Sequence, residues 1–283
     1  MKFKTNLLAA IGLSLFPVAV TAQFVDRFST IDPAWTINRY APAGFASVVF
    51  GGDSRLQLTI DQTGSTANRD ITFSSPFYST QGFSRPGGIT GLWTISAQVY
   101  VSSAFDTTTG VLANNALWGH TGTTGAGGDY AILGFTNDSP TDTLNASATD
   151  RAFRFQAFDG NTGSWFNLGV PTGFVFDAWH TLSEVSTGNS FEYYIDGNLV
   201  LTNTTAAGND LLSVMIQGYN FGLTDSYSTY WDNLTVSAIP EPATYAAFAG
   251  LGALGLAVTS ESGRQRKIRA LHKARDKSYT PLG

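Results

Sequence analysis

From residue 23 onward, apolar and polar residues alternate with a period of two. Leu56, Leu58 and Ile60 alternate with Gln57, Thr59 and Asp61, and Trp93, Ile95, Ala97, Val99 and Val101 extend the pattern over a longer run. Residues 153–158, 212–216 and 230–236 repeat it. Successive side chains of a strand point to opposite faces, so this pattern predicts half-buried antiparallel strands. Turn-forming clusters separate the runs: Gly51-Gly52-Asp53, Arg85-Pro86-Gly87-Gly88, residues 125–128 and Asp159-Gly160-Asn161. Asp196-Gly197 between residues 191–195 and 198–201 is the sequence of a tight hairpin. No amphipathic helix is predicted in the body. A dozen or so strands in about 215 residues predict an all-β, antiparallel two-sheet sandwich around one sizeable core.

The two ends are patterned differently. Lys2 and Lys4, an apolar run over residues 7–20 and the small-residue site Val20-Thr21-Ala22 predict a signal peptide cleaved between Ala22 and Gln23. The apolar run would reach only about 21 Å as a helix, which is short for a membrane span. Near the other end, Pro240-Glu241-Pro242 precedes sixteen uncharged residues, 243–258, and a tail carrying seven Lys and Arg residues. Basic residues beside a membrane segment hold that end in the cytoplasm, which leaves the body outside. The predicted organisation is therefore residues 1–22 as signal peptide, 23–237 as sandwich, 238–259 as motif and single hydrophobic transmembrane helix, and 260–283 as basic cytoplasmic tail.

The order of these three C-terminal parts resembles the PEP-CTERM sorting signal of Gram-negative bacteria. The resemblance implies that an exosortase, a membrane thiol protease, recognises Pro240, Glu241 and Pro242 and removes the anchor after export by the secretion machinery. Arg264, Arg266 and Lys267 are then the stop-transfer charges. It also implies an inner-membrane intermediate, a final place at the cell surface or in the extracellular matrix, and a producer of exopolysaccharide or biofilm. The chain departs from the pattern where residues 259–263 separate the apolar segment from its basic cluster, and in a tail that runs on to Gly283. An ordinary C-terminal anchor after a Pro-rich linker is the other reading of the same residues.

Between Gln23 and Ile239 there is no lysine. Seven arginines face sixteen aspartates plus Glu184 and Glu192, a net charge of −11. Such a surface repels phosphate backbones and excludes nucleic acid as a partner. With no cysteine, neither disulfides nor thiol chemistry is available.

Within the body, Asp26-Arg27-Phe28 followed by Trp35, residues 178–182 followed by Tyr194-Ile195-Asp196-Gly197, and residues 230–236 resemble the concanavalin A-like lectin/glucanase superfamily, including its laminin-G-type members. The resemblance implies a jelly roll whose chain ends meet on neighbouring strands. It also implies a structural Ca²⁺ tying those strands, with Asp26 and Asp232 as its candidate ligands.

Glycoside hydrolysis, the chemistry such a fold suggests, needs two carboxyl groups across the scissile bond. The Glu-x-Asp-x-(x)-Glu strand that supplies them in hydrolases of the resembled kind is absent. The body offers Glu184 and Glu192, predicted on different strands, with Asp177 and Asp196 beside them. His120 and His180 accompany no Gly-x-Ser-x-Gly elbow and are too few for a zinc site. The expectation is that the chain is not an enzyme. Sugar binding instead needs aromatic platforms with polar groups beside them. Trp118, Tyr130, Trp165, Tyr219 and Tyr227, with His120, lie near Gly-, Asn- or Asp-rich stretches expected in loops or at sheet ends. Arg154 and Gln156, alternating with Phe residues, line an open sheet face or are solvated strand positions. The expected function is an exported, non-catalytic module that binds an extracellular polysaccharide. A divergent glycoside hydrolase or lyase and a purely structural matrix protein are the alternatives.

Overall fold

The computed structural model describes residues 22–61, 80–106, 111–122, 129–140, 149–159, 163–204, 210–219 and 226–240. In chain order its strands are β1 (Ala22–Asp26), β2 (Thr36–Arg39), β3 (Gly44–Phe50), β4 (Asp53–Ile60), β5 (Thr80–Ile89), β6 (Trp93–Val101), β7 (Asn114–Thr121) and β8 (Asp129–Thr136). They continue as β9 (Arg154–Asp159), β10 (Ser164–Gly169), β11 (Ala178–Ser186), β12 (Phe191–Ile195), β13 (Asn198–Asn203), β14 (Leu211–Tyr219) and β15 (Tyr227–Ala238). All strand pairs are antiparallel. An eight-stranded sheet runs β13-β12-β11-β6-β15-β4-β3 with β1 also on β15, and a seven-stranded sheet runs β10-β9-β8-β7-β14-β5-β2. A single 3-10 turn, Ser103–Phe105, is the one helical element among the described residues. No helix among them is long and apolar enough to cross a membrane.

The alternation read from the sequence becomes this architecture most directly in the eight-stranded sheet. Every second residue of β6, and four of every second residue in β11, is buried between the sheets. Trp93, Trp231, Phe135, Phe155, Leu56, Leu58 and Ile60 fill the core, each burial of this kind stabilising the fold by roughly 1.5–3 kcal/mol. The sheets are also tied by a directed bond: the Trp231 indole donates to Asn115 Oδ1 at 2.9 Å. As expected, the chain ends meet, with Asp26 of β1 opposite Leu234 of β15. The Asp196-Gly197 hairpin also forms, with φ of 51° and 77°, the left-handed pair its tight turn requires.

Two expectations need correction. Arg85-Pro86-Gly87-Gly88 is not a separator but part of β5, where Pro86 faces Ser213 at a register shift. A bulge lets the strand pass through residues that would break regular pairing. β7 and β8 were not anticipated as strands, because most of their residues on both faces are buried and they show no clean alternation. Residues 1–21, Glu241, Pro242, the hydrophobic segment, Arg264, Arg266 and Lys267 lie outside the described residues.

Candidate functional site

Five of the six predicted contact residues stand on the outward face of the seven-stranded sheet, Tyr219 at the end of β14 among them. Trp118 and His120 lie on β7, Tyr130 on β8 and Trp165 on β10. Trp118 occupies a strand interior, whereas His120, Tyr130 and Trp165 each stand one residue from a strand end, within the expectation of loops or sheet ends. Trp118 and Tyr130 alternate with core residues such as Leu117 and Leu133. Register aligns Trp165 with Phe158, Phe158 with Ile132, Ile132 with Trp118, and Trp118 with Met215. One apolar row thus crosses five strands, a span of about 19 Å at the usual interstrand spacing.

Beside it runs a row of different character: Asn167, Gln156, Gly134, Ala116 and Gln217. Its middle is low because the backbones crowd there. A Cβ on Gly134 would run into the Asn115 carbonyl and the Ala116 side chain. At the β10 end of the two rows, where Trp165 and Asn167 are exposed, a ring with an amide beside it can stack against a sugar ring while hydrogen-bonding its hydroxyls.

The rim adds polar chemistry. His120 stacks on Tyr130 with centroids 4.8 Å apart, and its Nδ1 lies 3.4 Å from Ser213 Oγ. The Arg39 guanidinium sits 4.7 Å from the Trp118 ring centroid and 5.6 Å from that of Tyr130, within cation–π range. Burial, then the charge of Arg39, pushes the His120 pKa down, so this imidazole is neutral at pH 7 and available to accept a proton. Arg154 and Gln156 share the outward face but are buried, not solvated. Arg154 pairs with Asp138 at 2.5 Å; burial nonetheless raises the Asp138 pKa. The face is closed over its middle, with Trp118 only 3% exposed, and open at its β10 edge, where Trp165 is 45% exposed.

Tyr219 also points outward, at the end of β14. Tyr227 does not join them. It begins β15 in the core-facing register, and its hydroxyl donates to the Asn114 carbonyl (2.6 Å) and accepts from the Tyr219 amide (3.1 Å). Burial pushes its phenol pKa up, and the residue is a core tie rather than a platform.

The candidate carboxylates separate. Glu184 of β11 points into the core, fully buried, and accepts from the Gly119 amide at 3.1 Å. Its Oε1 has no partner among the described residues, and burial pushes its pKa well up. Glu192 of β12 takes the opposite face of the same sheet and accepts from the Tyr194 hydroxyl at 2.6 Å, so the two cannot flank one bond. Asp177 accepts from the Ser103 amide (2.9 Å). Asp196 faces His180 Nδ1 (2.8 Å), whose Nε2 lies 2.8 Å from the Val175 carbonyl; this histidine anchors the β12–β13 hairpin.

Asp26 and Asp232 do stand on paired strands, yet protein donors hold both oxygens of Asp26 and the Oδ2 of Asp232, whose Oδ1 has no partner among the described residues. Asp26 accepts from the Phe28 amide (2.9 Å), the Trp35 indole (2.9 Å) and Arg85 (3.2 Å); Asp232 pairs with Arg55 at 2.8 Å. Guanidinium groups on both carboxylates do not fit a shared Ca²⁺. No cluster of three potential ligands lies among the described residues.

No protein-family model and no curated protein sequence matches the chain. Solved structures do. A glycoside hydrolase family 16 protein from a Bacteroides ovatus mixed-linkage glucan locus, in complex with its product, is 13% identical over 75% of this chain and 99% of its own, with a TM-score of 0.50. A family 16 endo-glucanase from Bacteroides ovatus is 14% identical at the same coverages and TM-score. A sialidase is 10% identical over 78% of this chain, which spans only 19% of that protein (TM-score 0.46). The fold is thus the concanavalin A-like jelly roll. The expectation that the chain is not an enzyme is corrected by the same finding. A structure matched over nearly its whole length is an endo-glucanase, so the fold by itself does not exclude catalysis.

Proposed function

We propose that this domain binds a neutral, β-linked polysaccharide along the outward face of the seven-stranded sheet and hydrolyses it, as glucan-active enzymes of the same fold do with theirs. The observation that carries this is the exposed Trp165 ring with Asn167 beside it, at the open β10 edge of an otherwise buried apolar row. Trp165 receives the chain at the open edge. A net charge of −11 on the body selects against acidic glycans.

Binding and hydrolysis rest on different groups. His120 is a neutral proton acceptor, but Asp138 lies eight residues along from the level of Tyr130, about 26 Å away in strand geometry. Two catalytic groups flank one glycosidic bond at about 5–9.5 Å, so His120 and Asp138 do not act as a pair. Asp129 and Asp159 on strands of the same sheet, and Asp70, Asp142 and Asp225 outside the described residues, are among the body carboxylates to substitute. The test is affinity electrophoresis in mixed-linkage β-glucan run alongside an assay of reducing-end release. Retardation and release, the first lost in Trp165→Ala and the second in one Asp→Asn variant, are expected. Retardation without release removes the hydrolytic half, and neither signal from folded protein overturns the whole.

We also propose that the protein is exported and trimmed by an exosortase, a reading supported by Pro240-Glu241-Pro242 and the segments that follow it. Mass spectrometry of protein from an exosortase-bearing host should show a chain ending near residue 242. A full-length tail there, unchanged by Glu241→Ala, contradicts it.

A further inference from the structure

The outward face of the eight-stranded sheet carries a second aromatic site that shares no residue with the first. Register places Trp179 beside Tyr100 and Tyr100 beside Tyr230. Phe50, at the tip of the β3–β4 hairpin, stacks on Tyr230 with centroids 3.8 Å apart and meets Tyr100 edge-on at 4.9 Å. Phe50, Tyr100 and Tyr230 border a half-open cavity of about 400 Å³, whose lining also includes Ser102, Ser226 and Ser228. That volume lies in the range of small-molecule sites, about 300–1,000 Å³.

On β4 and β6 the other outward positions carry polar side chains such as Thr94, Ser96, Gln98 and Gln57, and the exposed apolar residues of this sheet, Val25, Val49 and Leu199, are aliphatic. Rings gathered at one end beside a cavity are therefore a departure from the sheet's own pattern. The charges nearby are spoken for. Arg55, 5.3 Å from the Trp179 ring centroid, is held by Asp53 and Asp232 at 2.8 Å each. Asp177 accepts from the Ser103 amide and the Tyr100 hydroxyl. With no free cation lining the cleft among the described residues and a lysine-free, acidic body, its ligand is neutral. Flat rings on one side and serine hydroxyls on another fit a molecule with an apolar face and a hydroxylated edge.

We infer that this cleft is a second saccharide site, which takes a short segment of neutral glycan with one sugar ring against Tyr230 and its hydroxyls toward Ser102, Ser226 and Ser228. Sites on the opposite outward faces of one sandwich let a single chain hold two glycan strands at once, so that avidity replaces tight binding at either. The inference does not depend on activity at the other sheet.

Calorimetric titration of the full-length protein with laminaritetraose and cellotetraose tests it. Two sites per chain are expected, one weakened about tenfold in Tyr230→Ala and untouched in Trp165→Ala. Phe50→Ser, at a hairpin tip, gives the same loss with little risk to folding, and Tyr230→Phe retains binding. One site only, lost in Trp165→Ala and kept in both Tyr230→Ala and Phe50→Ser, overturns the second site and leaves the first standing. One site with the reverse pattern supports the second and overturns the first. No heat with either tetraose from folded protein overturns the inference.

Discussion

The two sheets turn opposite kinds of surface outward. In the eight-stranded sheet, buried and half-buried residues alternate, as in β6 and β11, and the outward rings of Tyr100, Trp179 and Tyr230 keep part of their surface in water. In the seven-stranded sheet the central strands β7, β8 and β14 are buried through most of their length on both faces. Ile132, Trp118 and Met215 form a second apolar cluster outside the sandwich core. One sheet is a wall with a local aromatic cleft, whereas the other has apolar packing on both sides and opens only at the Trp165 edge. Substitutions in the closed middle of the seven-stranded face should therefore act on stability, and those at the Trp165 edge or in the aromatic cleft of the other sheet on binding.

The largest expected effect follows directly. Trp118→Ala should cost about 3–5 kcal/mol of folding stability, the range for a buried aromatic, while half-exposed Tyr230→Ala should cost about 1 kcal/mol. Chemical denaturation measures both, and equal losses would erase the distinction between the faces.

Next is Glu184, sealed between the sheets. Its pKa is raised above the ordinary 4.5 by burial, so the folded state favours its protonated form. The stability tied to this group is complete below pH 4.5 and is lost as pH rises toward the raised value, at up to about 1.4 kcal/mol per pH unit. Glu184→Gln should lack that decline and be the more stable protein at pH 8. Asp53 and Asp177, whose pKa values are lowered by hydrogen bonds from Arg55 and Ser103, slope the opposite way and cancel in the difference between the two proteins. Parallel pH curves would show that Glu184 is ionised in the fold. The smallest expected effect is calcium: with Arg85 and Arg55 against Asp26 and Asp232, neither added Ca²⁺ nor chelator should move the melting temperature.

The same contrast explains what the sequence could reveal. β4, β6 and the β12–β13 hairpin were legible because one face of each meets water and Asp196-Gly197 can form only a tight turn. β7 and β8 were not, since burial on both faces erases the period of two, and Trp118 and Tyr130 were expected in loops or at sheet ends for that reason. Grouping Trp118, His120, Tyr130 and Trp165 required the register of four strands. Arg39 gave no sequence signal: its role comes from a left-handed φ of 63° at the end of β2 and from reaching rings on two other strands. Tyr227 was misjudged because a one-residue step in β15 decides between platform and core. The Glu184 and Glu192 separation was foreseen as different strands, whereas their opposite faces became visible only with the pairing of β11 and β12.

The most direct test of the account is the affinity of full-length protein for mixed-linkage β-glucan, compared between wild type and Trp165→Ala. Trp165 is exposed enough that its loss should leave stability within about 0.5 kcal/mol. The account predicts that affinity at the seven-stranded face falls about tenfold with the fold intact. Unchanged affinity at that face, in a variant as stable as wild type, would contradict the assignment of the glycan to this sheet.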